Sequence, residues 1–194
     1  ERKKPESISD AEWEARTGEA ISVLTQTLPQ FFSTGLVLSI DKSKLPDIVE
    51  ASREEAHGDI EPVYSSKIQL VYTPKGFERT LHIQGVPLYT TSSGFVRHTL
   101  NALYSDLRVD LLSVRTTPPP PPFPPTSSSR PGKSRDRSLS MRIGVSGLAR
   151  VSGAKSEWEV DCTYSFSPIS GLILIHTVNS IHPAPHESVY EAFR

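Results

Sequence analysis

From Trp158 to Phe166 apolar and polar residues alternate. Trp158, Val160, Cys162, Tyr164 and Phe166 fall on one face, and Glu159, Asp161, Thr163 and Ser165 on the other. A period of two belongs to a strand with one buried face. Ser167-Pro168-Ile169-Ser170-Gly171 then supplies a turn, because proline presets φ and glycine accepts positive φ. A second strand is expected from Leu172 to Asn179, with His176 on the face of Leu172, Leu174 and Val178. This part of the chain therefore predicts a β-hairpin that carries one histidine into an apolar run.

Elsewhere the pattern changes period. Ser9 followed by Glu12 makes a capping box, and Trp13, Ile21, Leu24 and Leu28 continue it as the apolar stripe of a helix ending near Leu28. Pro46 to Ala56 reads as a short solvated helix with proline in its first turn. Lys67 to Thr73 is expected as a strand, Pro74-Lys75-Gly76 as a turn, and Thr80 to Val86 as a short extended segment. Phe95, Val96, Leu100, Leu103 and Tyr104 recur at three- and four-residue spacing and predict a helix over 92–104. Strands follow at Leu107 to Arg115 and at Leu139 to Val151, the latter with Met141, Ile143 and Val145 on one face.

Composition divides the chain. Between Thr116 and Ser138 eight of 23 residues are proline, five of them consecutive, and a serine run and a basic stretch follow. No packed element tolerates that composition, so 116–138 is expected as a disordered loop inserted in one domain spanning 9–182, with a lead-in at 1–8 and a tail at 183–194. The run Pro118 to Pro125 also fits a polyproline II ligand, which makes a scaffold acting through this loop one reading of function. At 194 residues a second full domain is not expected.

Net charge and cysteine usage narrow the function classes. Twenty-one Lys and Arg against 22 Asp and Glu leave a net charge of −1, which lacks the cationic excess that nucleic-acid binding needs. No apolar run approaches the roughly 20 residues that span a bilayer. Cys162 is the lone cysteine, so no internal disulfide and no multi-cysteine zinc site are expected. His182-Pro-Ala-Pro-His186 reads as an extended tail without fixed coordination geometry, so neither a metal nor a cofactor is expected. The chain opens on Glu1 rather than Met, so its natural start, with any targeting peptide, is expected to lie upstream.

Several segments together resemble a known family. They are Tyr64-Ser-Ser-Lys-Ile-Gln-Leu70, Ile83-Gln-Gly-Val-Pro-Leu-Tyr89, Leu103-Tyr-Ser-Asp-Leu-Arg-Val-Asp-Leu111, Arg142-Ile-Gly-Val-Ser-Gly147, and Trp158 with the hairpin ending at His176. Over roughly 11–182, leaving out the proline loop, these resemble the domain-of-unknown-function-2358 group of the nuclear-transport-factor-2-like (NTF2-like) fold, found in mitochondrial and plastid-associated proteins. The resemblance implies an α+β cone, a curved antiparallel sheet wrapped around amino-terminal helices, and a mitochondrial location. Relatives of this fold include dehydratases, isomerases and pure binding modules.

An enzyme on such a fold needs ionisable groups in the apolar cavity. His176 is the candidate acid–base residue, with Asp106 as a carboxylate partner, although Asp at a helix-to-strand turn commonly caps the backbone. Tyr72, Tyr104, Trp158 and Tyr164, and also Tyr89, are candidates to line the pocket. Cys162 is expected as an inert buried thiol and Asp161 as solvent-facing. With no convincing acid–base pair, the favoured expectation is a non-enzymatic binding or interaction module. Its partner would be another protein or a second copy, met on an open sheet face bearing Trp158 and the last strand. A dehydratase- or isomerase-type enzyme of unknown ligand is the alternative.

Overall fold

Ser9 sets the start of the first helix. Its hydroxyl accepts a hydrogen bond from the Glu12 backbone N–H at 3.2 Å, satisfying one donor that a helix N-terminus leaves open. The Glu12 carboxylate pairs with Arg16 at 2.8 Å, one turn on. In this computed structural model, which describes residues 8–41, 60–74, 80–117 and 135–183, α1 runs Asp10–Thr27. It buries Trp13, Thr17, Ala20 and Leu24, a stripe at three- and four-residue spacing. Ile21 and Leu28 pack beside that stripe, only partly buried. Pro29 falls in a single 3₁₀ turn, and the short helix α2 (Phe31–Thr34) follows.

Two short strands, β1 (Ser39–Asp41) and β2 (Ile60–Pro62), pair antiparallel as a small ribbon. The helix expected at 46–56 lies outside the described residues. The main sheet is built from β3 (Tyr64–Tyr72), β4 (Leu81–Gln84), β5 (Tyr104–Thr117), β6 (Ser138–Ala149), β7 (Lys155–Phe166) and β8 (Ile173–His182), in the order β4-β3-β8-β7-β6-β5. It is curved and unclosed, and with the amino-terminal helices it makes an α+β fold, as expected. Its core joins Trp13, Ala20 and Leu24 to Ile68, Leu139, Met141, Cys162, Phe166 and Ile173.

The expectation of an all-antiparallel sheet is corrected. β3 and β8 run parallel, with Leu70 opposite His176 and Tyr72 opposite Val178. Alternation reports which face a side chain takes, whereas strand direction depends on the connections. Here helix α3 (Val86–Leu103) carries the chain from β4 at one edge to β5 at the other. Three antiparallel steps then bring β8 back beside β3. β5 takes in Thr116 and Thr117 and β6 begins at Ser138, so both reach into the segment expected as loop; residues 118–134 lie outside the described residues. Arg135 is tied to α1, donating from Nε to Asp10 Oδ1 at 2.8 Å.

The third helix corrects a second expectation. It starts six residues before the predicted position, after Gly85 at φ 90° and with proline in its first turn. Its buried residue is Tyr89, while Phe95, Val96 and Leu103 of the apolar pattern are 71%, 47% and 53% exposed. Arg97 Nε and Asn101 Nδ2 donate to the Phe32 carbonyl, each at 3.1 Å, which fixes the inward side of the helix against α2. Phe95, Val96 and Leu103 lie on the opposite side, while Leu100 and Tyr104 of the same apolar pattern are half-buried.

The hairpin turn closes through two backbone bonds. Ser167 N–H donates to Leu172 O at 2.8 Å, and Gly171 N–H donates to Ser167 O at 2.9 Å. Gly171 has φ +72°, and a Cβ there would stand 3.1 Å from Arg16 Cβ and 3.2 Å from the Trp13 carbonyl oxygen. Gly171→Ala is expected to cost about 1–3 kcal/mol, combining the positive φ with a crowded helix–turn contact. A urea midpoint within error of wild type would show that the turn yields freely.

Candidate functional site

β8 carries His176 directly opposite Tyr164 of β7, and the two rings stack with centroids 4.3 Å apart and planes 17° from parallel. From the helix side, Tyr89 of α3 reaches down, and its hydroxyl lies 2.9 Å from His176 Nδ1. Tyr64, the first residue of β3, packs against Tyr89 with ring centroids 5.4 Å apart and planes tilted by 48°. Three strands and one helix thus gather an imidazole and three phenols into one layer of the core.

The electrostatics of this cluster favour neutral groups. Burial pushes the His176 imidazole down to about 4, although the residue keeps some exposed surface. Burial also raises the phenols of Tyr64, Tyr89 and Tyr164 above the usual range. A neutral imidazole that accepts at Nδ1 carries its proton on Nε2. Cys162 beside them is held inert, its thiol pushed up to about 12 by burial and donating to the Met141 carbonyl at 3.6 Å. The arrangement can hold a neutral hydrogen-bonding geometry. None of these groups is tuned toward neutral pH, where general acid–base catalysis works best, because burial drives the imidazole down and the phenols up.

Asp106 does not join it. Residues 106 and 107 form a bulge in β5 opposite Gly147, where Asp106 sits exposed at φ 54°. Asp is one of the few residues that adopt this backbone readily. The pattern expected as a turn is therefore a bulge inside the strand. Asp106 lines an open cleft of about 920 Å³ together with Arg108, Asp110, Leu112, Glu157 and Glu159. Arg108, Asp110 and Glu159 lie on the face of the sheet turned away from the helices, since their neighbours Val109 and Ile143 are buried beneath them. Asp161, also on that face, accepts from Arg142 Nε at 2.9 Å, which holds its carboxyl below the usual range.

The pocket-lining candidates separate. Tyr164 touches His176, as does Tyr89. Tyr72 lies further along β3 beside Val178 and, among the described residues, makes no hydrogen bond or ring contact with His176. Tyr104 and Trp158 form their own edge-to-face pair, centroids 4.9 Å apart. Six residues of β7, about 20 Å of strand, separate that pair from Tyr164. Trp158 shares the face of Cys162 and Tyr164, and β8 lies inside the sheet between β3 and β7. Trp158, with His182 at the end of β8, also lines the open cleft that holds Asp106 and Glu159. Tyr64 was not among the sequence candidates; its contact with Tyr89 spans 25 positions of chain and has no local signal.

Among the described residues no group of three or more His, Cys, Asp or Glu is placed to hold a metal ion, and no helix is long and apolar enough to cross a membrane.

No protein-family model matches the sequence, and no curated protein matches it. Similar solved structures include a candidate polyketide cyclase from Xanthomonas campestris pv. campestris, at 8% identity and TM-score 0.43, covering 86% of this chain and 90% of that one. A candidate SnoaL-like polyketide cyclase from Jannaschia sp. CCS1 is similar at 8% identity and TM-score 0.41, over 99% and 96% of the two chains. AclR, a candidate hydroxylase from Streptomyces galilaeus, is similar at 11% identity and TM-score 0.41, over 94% and 87%. The α+β class itself rests on the chain's own strand order and helix placement.

Proposed function

We propose that the chain is a non-catalytic binding or protein-interaction module of the nuclear-transport-factor-2-like type, in a mitochondrion-linked protein. One observation carries the first part: His176 is stacked on Tyr164 and hydrogen-bonded to Tyr89, while Asp106, its candidate partner, stands on an exposed bulge in another strand. The link to the domain-of-unknown-function-2358 group and to mitochondria rests on the sequence resemblance.

A dehydratase- or isomerase-type enzyme is the second reading, and the 2.9 Å Tyr89–His176 contact is what favours it. It ranks lower because both groups are held neutral and, among the described residues, no carboxylate joins them. An allele exchange separates the two. A strain carrying His176→Gln keeps the wild-type phenotype under the binding reading, whereas a gene deletion does not. His176→Gln protein that is folded and normally abundant but behaves like the deletion would favour the enzyme.

A further inference from the structure

We infer that the chain pairs with a second copy of itself through the outward side of α3, helix against antiparallel helix. This names a partner within the binding-module reading and rests on that reading. Leu88, Phe95, Val96 and Leu103 are 60%, 71%, 47% and 53% exposed and fall on one side of the helix. Together they present roughly 450 Å² of apolar surface, in the range of the largest patches on monomers, which are often functional. A standard interface buries about 800 Å² per partner, and homodimer interfaces are about 65% apolar, so the need is about 500 Å². The stripe alone nearly supplies that.

Charge and symmetry select a like copy over an unlike partner. Arg97 is the only Asp, Glu, Lys or Arg in α3, and its guanidinium turns inward to the carbonyls of Phe32 and Ser33. Two such faces meet without like-charge repulsion and offer no charge pattern to a different partner. Leu88 and Leu103 stand equally far from the midpoint between Phe95 and Val96. A two-fold axis there sets Leu88 against the partner subunit's Leu103 and Phe95 against the partner subunit's Val96. Ser92 then meets the partner subunit's Thr99, small residues that let the helices approach. Seven-residue spacing, Leu88 to Phe95 and Val96 to Leu103, keeps both pairs on one seam when helices cross near 20°. The outer sheet face fits a second copy worse: its exposed Leu112 and Leu148 border a cleft with four carboxylates, from Asp106, Asp110, Glu157 and Glu159.

Sedimentation equilibrium of the full chain from about 5 to 500 μM tests this. The expected result is a concentration-dependent dimer, weakened at least about thirtyfold by Phe95→Asp. Far-UV circular dichroism of that variant should match wild type, as should its melting at concentrations where wild type is monomeric, because Phe95 is exposed. A monomer throughout overturns the inference, while the module reading answers to the separate His176→Gln experiment. A dimer that survives Phe95→Asp and is lost on Leu112→Asp also overturns it. Mixing Leu88→Cys chains with Leu103→Cys chains under mild oxidation should give the mixed disulfide, with buried Cys162 silent. Disulfides formed by each variant alone, and none in the mixture, would refute the antiparallel register.

Discussion

Trp13→Ala is expected to cost about 3–5 kcal/mol, a large part of the roughly 5–15 kcal/mol that holds a domain folded. Trp13 is 5% exposed in the core cluster, and its indole N–H donates to the Ser167 carbonyl at 2.8 Å. The Arg137 guanidinium sits 5.4 Å from the ring centroid. One side chain therefore fastens α1 to the β7–β8 turn and to the segment entering β6. Trp13→Phe retains most of the apolar volume and leaves the Ser167 carbonyl without that donor, so about 1–2 kcal/mol is expected. Urea unfolding of both variants checks the order. Equal losses would mean that packing contributes nothing beyond the hydrogen bond.

The second large effect is a pH dependence centred on His176. Its imidazole is lowered from 6.5 to about 4 by burial, so between those values the unfolded chain binds the proton and the folded chain does not. The stabilisation is complete above about pH 6.5 and is lost as the pH falls toward 4. At 1.36 kcal/mol per pH unit the full change is about 3 kcal/mol, and the residue's remaining exposure brings it nearer 2. Asp161 acts in a different window: its carboxyl lies below the ordinary 3.8, so its contribution is lost only below that pH. Urea unfolding near pH 7, 5.5 and 4.5 should show a fall of about 1–2 kcal/mol in wild type that His176→Gln lacks. Parallel pH curves for the two proteins would place this dependence elsewhere.

What could be read from the sequence was local. The Ser9 cap, the Trp13 to Leu24 stripe and the β7–β8 hairpin with Gly171 each lie within a few residues, and the structure contains them. The alternation from Trp158 to Phe166 also placed Cys162 and Tyr164 on the buried side. Choices made between distant segments were hidden. The stripe on α3 has the same period whichever side faces inward, and Arg97 and Asn101 reaching α2 decide it. Asp106 is a turn residue by type, and only the pairing of β5 with β6 makes its position a bulge. Tyr64, Tyr89, Tyr164 and His176 meet because β3 and β8 run parallel beside β7 with α3 packed on β3. No spacing along the chain encodes that meeting.

Central to the account is a histidine held neutral within the fold rather than poised for proton transfer. A heteronuclear NMR titration of the His176 ring in the folded chain tests this most directly. The account predicts a midpoint near 4, with the neutral ring protonated at Nε2 down to that pH. A midpoint at or above 6.5 would contradict it and return His176 to the role of an acid–base group.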